Sequence, residues 1–233
     1  MIAENLKILN KRINDKCCEL NRNPQKIKLI AVSKTYSVDA ISSANDLGLT
    51  DFGENKAQEL RDKYNVLSDK VNWHFIGNLQ RNKVKYVVKS ASFIHSVDSI
   101  TLADEINKQA SKLGKVQKIL LEVKTSFEES KSGAEGEESL KALTEHCTSL
   151  ENVNLIGLMT MAPFTNDEKI IRQSFSELRK LKDKLNGYGF NLSELSMGMT
   201  NDFEIGIEEG ATMLRIGSAI FGKRDYTKQQ EQL

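Results

Sequence analysis

The chain has 233 residues, of which 39% are hydrophobic and 28% charged, with a formal net charge of +1. That length suffices for one large core or two small ones, and the near-neutral balance gives no global pull toward nucleic acid or an anionic membrane surface. No apolar run is long enough to cross a bilayer, and the start MIAENLKILNKRINDKCCEL carries charges throughout where a signal peptide would have an unbroken apolar core, so a cytoplasmic location is expected.

Apolar runs of strand length alternate with amphipathic stretches of helical length along almost the whole chain, the pattern of repeated βα units. A helix over residues 2–21, stopped near Pro24, precedes the first strand, KLIAVS from Lys28, and the helix VDAISSANDLG. The second strand is the short LTDFGE, followed by the helix NKAQELRDKYNVL. The third is NWHFIG from Asn72, with a helix starting in NLQRNKVKYVVK, and the fourth is SFIHSV from Ser92. Its helix, DSITLADEINKQASKLG, has Asp98 placed as N-cap and Gly114 as terminator.

The fifth strand is VQKILLEVKT from Val116 and the sixth NLIGLMTM from Asn154, trailed by EESLKALTEHCTSL and DEKIIRQSFSELRKLKDKLNG. The seventh is NLSELSMG from Asn191 and the eighth ATMLRIGSAIFG from Ala211, separated by a short helix around NDFEIGIEEG. Eight such units, with two prolines and no linker, predict a single-domain (β/α)8 TIM barrel over residues 1–233, with an extra N-terminal helix and a polar tail at 223–233. A doubly wound open sheet is the alternative, but it more often has five or six strands.

In such a barrel function sits where strands become loops at their C-terminal ends, and phosphate commonly binds after strands seven and eight. SMGMT and RIGS place Ser196, Gly198, Thr200, Gly217 and Ser218 there. Each loop alone would sooner be read as an ordinary helix cap. Barrel closure sets strand eight beside strand one, so Lys34, which ends the apolar run LIAV, falls next to these loops. Lys34 is then a solvated strand end, a charge partner for phosphate, or an amine for an aldehyde on the same molecule. Pyridoxal 5'-phosphate (PLP) carries both groups on one ring, and Arg215 near the end of strand eight suits its ring nitrogen. An always-protonated guanidinium there would leave that nitrogen unprotonated and weaken the ring as an electron sink. The competing reading of Arg215 is an ion pair with Glu204, Glu208 or Glu209.

AVSKT, GEN..QE from Gly53, WHFIGNLQRNK, SVDS, ESKSG from Glu129, GLMTMAP, LSMGMTNDFE and RIGSAIFG occur together and in order. In this combination the chain resembles the YggS/PROSC family of pyridoxal phosphate homeostasis proteins over nearly its full length. The resemblance implies a fold-type III barrel, similar to the N-terminal domain of alanine racemase, that holds PLP as an internal aldimine on Lys34. It implies no established catalytic activity, hence no catalytic residues, and a role in vitamin B6 and amino-acid balance. Ser196 and Thr200, with Gly217 and Ser218, match the phosphate loops, Arg215 the ring-nitrogen arginine and Asn55 a residue near the ring. His74, Asn78, Lys83 and Lys131 match signature positions around the mouth, and Met159 opens the segment after strand six. Family members often have Lys-Pro where this chain has Tyr36-Ser37, and Asn where it has Lys124.

The enzyme alternative is a weak single-domain PLP-dependent racemase. In alanine racemase a second domain supplies the second acid/base tyrosine, and here the only late tyrosine is Tyr226, in the polar tail. A Schiff-base aldolase acting on a sugar phosphate is a third reading. Expected partners are PLP and PLP-requiring apo-enzymes, with the chain a monomer. No metal site is expected, since Cys17, Cys18, Cys147, His74, His95 and His146 show no ligand spacing. Arg81, Lys85 and Lys89 share one helix face, expected to be solvated rather than to bind nucleic acid.

Overall fold

The computed structural model describes residues 1–125, 134 and 136–222. Eight parallel strands close in sequence order, β1 to β8, with β8 pairing back to β1. They are β1 (Lys28–Val32), β2 (Asp51–Glu54), β3 (Asn72–Phe75), β4 (Phe93–Val97), β5 (Gln117–Glu122), β6 (Val153–Met159), β7 (Glu194–Ser196) and β8 (Met213–Ile216). The long helices are α1 (Ile2–Glu19), α2 (Val38–Asp46), α3 (Ala57–Leu67), α4 (Val84–Ser90), α5 (Ile100–Lys112), α6 (Glu137–Ser149) and α7 (Glu168–Gly187). Two short ones, α8 (Phe203–Glu208) and α9 (Ser218–Phe221), follow β7 and β8.

Strand alternation sorts the side chains. Phe52, Trp73, Phe75, Ile94 and Ile119 point outward and are buried beneath the helices. Ile30, Leu120, Met159 and Met213 form a separate apolar cluster within the barrel, joined by Phe93 and Ile156. The short α8 and α9 cover little of the wall, and α1 packs against both. Its buried face, Leu6, Leu9, Ile13 and Cys17, follows helical spacing. Arg12 lies 4.6 Å from the Phe203 ring, and Asn5 Nδ2 donates to Ile220 O at 2.9 Å.

Three local expectations are corrected. The seventh strand is only Glu194–Ser196, because just one β7–β8 register pair, Ser196 with Met213, forms before the chain turns away. The N-cap of α5 is Ser99, not Asp98. The helix after β3 is preceded by a 3-10 turn, Arg81–Lys83, so its α-helical part starts only at Val84. Among the described residues no helix is long and apolar enough to cross a membrane, and no group of three or more His, Cys, Asp or Glu is placed to hold a metal ion.

Candidate functional site

A cleft of about 270 Å³ opens at the C-terminal ends of β6, β7 and β8. Thr200, Arg215, Gly217 and Ser218 line it, together with Pro163 and Met199. Ser218 Oγ donates to Thr200 Oγ1 at 3.3 Å, so hydroxyls from the segments after β7 and β8 meet in the cleft that Gly217 also lines. Gly198, below them, has φ +93°, where only glycine is unstrained, and a Cβ there would lie 3.0 Å from Phe203 Cα and Leu214 Cδ2. Its carbonyl accepts from Arg215 N–H at 2.9 Å, which ties the loop after β7 to β8.

Lys34 lies in the turn that follows the neighbouring strand, β1. In register, β1 Ala31 faces β8 Ile216, and a Cβ on Gly217 would be 3.5 Å from Val32. Lys34, two residues further on, is half-buried in the tight turn closed by Tyr36 N–H donating to Ser33 O at 3.0 Å. The described lining of the cleft does not include it.

That turn is held from outside the barrel wall. Thr35, at φ +72°, donates its N–H to Glu59 Oε1 at 2.6 Å. Lys63, buried on α3, donates to Ser33 O at 2.8 Å, Glu54 Oε1 at 2.7 Å and Glu59 Oε1 at 2.8 Å. Ser33 Oγ also donates to Glu54 Oε1 at 2.6 Å, while Glu54 Oε2 is buried with no hydrogen-bond partner among the described residues. Burial pushes the Glu54 carboxyl up to about 7 against the pull of Lys63. The first departure from the family pattern, Tyr36-Ser37, adjoins the same device. Tyr36 Oη donates to Gly222 O at 2.8 Å and its ring stacks on Phe221, and Ser37 caps α2.

Arg215 is 4% exposed. It donates from one terminal nitrogen to Ser196 Oγ at 2.5 Å and from the other to Thr160 O at 2.8 Å. Burial lowers it to about 10, opposed by Asp202 and Glu122. Burial likewise pushes Glu122 up to about 7, with Arg215 opposing and Asp98 adding to the rise. The proposed ion pairs of Arg215 with Glu204, Glu208 or Glu209 do not form. Glu204 pairs with Arg12, Glu208 with Lys16 and Arg172, and Glu209 with Arg172 and Arg179.

Other expected positions scatter. Asn55 is half-buried after β2, and Gly77 lets the two loops touch, since a Cβ there would meet Asn55 O at 2.2 Å. Asn78 is exposed and Lys83 half-buried on the loop after β3, and Lys131 lies outside the described residues. His74 and Met159 were expected at the mouth and are not there: His74 is fully buried between Asp51 and His95, and Met159 belongs to the apolar cluster inside the barrel. Ser196 is fully buried, its hydroxyl held by Arg215 and His95 rather than turned to the cleft. Sequence reasoning missed Asp51, His95, Glu122 and Lys63. For the two histidines a signal existed, because His74 and His95 each stand third in adjacent strands.

A family model described as "Alanine racemase, N-terminal domain" matches residues 2–225. A pyridoxal phosphate homeostasis protein of Aquifex aeolicus is 44% identical over 226 residues, covering 96% of this chain and 99% of its own length. One of Pseudomonas aeruginosa is 40% identical, with 97% and 96% covered. The structure of PipY of Synechococcus elongatus with PLP bound superposes with a TM-score of 0.84 at 34% identity, covering 95% of this chain and all of that one. The chain belongs to the alanine racemase N-terminal-domain family and, within it, to the pyridoxal phosphate homeostasis proteins.

Proposed function

We propose that this protein binds PLP at the mouth formed by the cleft and the Lys34 turn, and serves the intracellular balance of that cofactor without turnover of its own. The observation that carries the reading is the donor set: a hydroxyl pair, a glycine and a buried guanidinium share one cleft at the end of β8, the strand that pairs with β1, which leads into the Lys34 turn. These residues fit the group. Thr200, Gly217 and Ser218 offer hydroxyl and backbone donors for a phosphate, and Arg215 offers a fixed charged donor for a ring nitrogen. The half-buried Lys34 is the covalent anchor. When bound, PLP supplies an aldehyde that condenses with an amine and a ring that withdraws electrons.

The chain's own residues favour holding over turnover. Arg215 keeps its proton, so it donates to the ring nitrogen without protonating it. The relatives' names as homeostasis proteins and the PLP in PipY support the same reading. Around the cleft Phe164 is almost fully exposed, with Met161 and Met199 partly so, an apolar rim suited to contact with PLP-requiring apo-enzymes, the recipients in this reading. The protein would act as a cytoplasmic monomer.

The test is absorbance of the purified protein before and after borohydride reduction, with peptide mapping of the modified lysine. Modification of Lys34, abolished in Lys34→Ala, is expected. Modification at Lys83 or Lys131 instead overturns the site, and steady-state conversion of D- or L-amino acids above the rate of free PLP overturns the non-enzyme reading.

A further inference from the structure

Five side chains form one unbroken hydrogen-bonded chain through the barrel. Asp51 Oδ1 lies 2.9 Å from His74 Nε2, His74 Nδ1 lies 2.9 Å from His95 Nε2, and His95 Nδ1 lies 2.9 Å from Ser196 Oγ. Arg215 closes the chain at Ser196. Its two ends face different solvent. Arg215 lines the cleft at the C-terminal ends of the strands, whereas Asp51 lines a cavity of about 380 Å³ at their N-terminal ends, beside Lys28 at 3.2 Å.

Donor and acceptor counting gives this chain a direction. Burial opposes the charge on Asp51, but hydrogen bonds from His74 and Thr50 outweigh it and hold the carboxyl down at about 2, so Asp51 only accepts. His74 therefore donates from Nε2 and must accept at Nδ1. His95 then donates from Nε2 and accepts at Nδ1, so Ser196 spends its one proton on His95. Its oxygen is left to accept from Arg215, which has only donors. Burial lowers both imidazoles and so favours their neutral forms, against the pull of Asp51 at His74, and the neighbouring His74 and Arg215 lower His95 further. Reversing any one link would set two acceptors or two donors face to face in a buried site, where an unmade hydrogen bond is costly.

We propose that Asp51, His74, His95 and Ser196 are positioning residues that fix, through this one-way relay, the orientation of Arg215 and hence the strength of the hydrogen bond it gives the ring nitrogen of the bound cofactor. The inference rests on the PLP reading for its last link only. An orphaned Ser196 proton or a flipped His95 would let the guanidinium turn toward Glu122 or Asp202, the acidic groups that face it.

Two measurements decide it. In cofactor-free protein, long-range 1H–15N NMR should show both His74 and His95 as neutral Nε2–H tautomers. Asp51→Asn, whose amide oxygen still accepts, should keep them, and Asp51→Leu should lose the single tautomer at His74. An Nδ1–H form of either histidine in the wild type overturns the relay. In protein loaded with ring-15N pyridoxal phosphate, Ser196→Ala should move the ring-nitrogen signal downfield, toward a pyridine nitrogen with no donor, and Ser196→Thr should restore it. An unchanged signal in Ser196→Ala, with cofactor still bound, overturns the positioning role and leaves the PLP reading standing. Protein that takes up no pyridoxal phosphate overturns the PLP reading, and the tautomers still decide the relay.

Discussion

Outside the barrel wall, Lys63 is clamped between Glu54, Glu59 and the Ser33 carbonyl; inside it, the charges of Asp51 and Arg215 stand at opposite ends of a row of neutral groups. The outer cluster compensates buried charge by direct contact of opposite signs, and what it holds is backbone, the turn that carries Lys34. The inner row separates its charges and links them by tautomer order, and what it holds is the orientation of one guanidinium. Ion pairing needs only proximity, whereas an ordered row needs every member in one protonation state. Loss of charge should therefore damage the outer cluster through stability and the inner row through the cofactor's electronic state.

The largest effect should come from Lys63→Met. It leaves Glu54 buried without its cation and removes the three hydrogen bonds that Lys63 gives to Ser33, Glu54 and Glu59, and denaturant unfolding should show a loss of about 3–5 kcal/mol. Adding Glu54→Gln should recover much of it, because the buried carboxyl that has lost its cation goes too. A loss below about 1 kcal/mol in Lys63→Met would mean that the cluster is not the anchor of the turn. Gly198→Ala ranks next. A β-carbon at φ +93°, pressed against Phe203 and Leu214, should cost about 2 kcal/mol and displace the carbonyl that accepts from the Arg215 amide. Weakened PLP binding by this variant, read by equilibrium dialysis, would show that the inner row and the phosphate loop share that carbonyl.

One buried carboxyl in each region allows a comparison by pH. Glu54 in the outer cluster and Glu122 beside Arg215 are both raised from 4.5 to about 7, chiefly by burial. Between those values the folded state binds more protons than the unfolded one, so stability is highest below about pH 4.5 on this account and falls as pH rises through 7. Glu54→Gln and Glu122→Gln should each flatten that fall by up to one proton, about 1.4 kcal/mol per pH unit. Equal flattening means burial governs both. A smaller effect for Glu122→Gln means that Arg215 holds that carboxylate charged.

Much of the frame behind these tests was legible in the sequence. Eight apolar runs at βα spacing announced the barrel, and the glycine and hydroxyl residues after strands seven and eight marked the cleft because local turn chemistry is written in residue type. What was hidden depends on distance across the barrel. Whether His74 reaches His95, and His95 reaches Ser196, follows from strand stagger, which alternation alone does not specify. Lys63 was hidden for another reason: a lysine on an amphipathic helix is ordinarily solvated, and only its three acceptors from separate segments explain its burial. His74 and Met159 were misplaced at the mouth because the motifs containing them run from the barrel interior out to the loop.

The smallest effect tests whether the outer anchor is a single unit. Tyr36→Phe removes only the hydroxyl donating to Gly222 O and keeps the stacking on Phe221, so about 1 kcal/mol should be lost. Tyr36 and Lys63 grip opposite ends of the turn, one against α9 and the other against α3. If Ser33–Tyr36 moves as a rigid piece, the double variant with Lys63→Met should lose less than the sum of the single losses, since a turn freed at one end gains little from its fastening at the other. Strict additivity would mean that the two grips act on separate parts of the chain, and that Lys34 is positioned by Lys63 and its carboxylates alone.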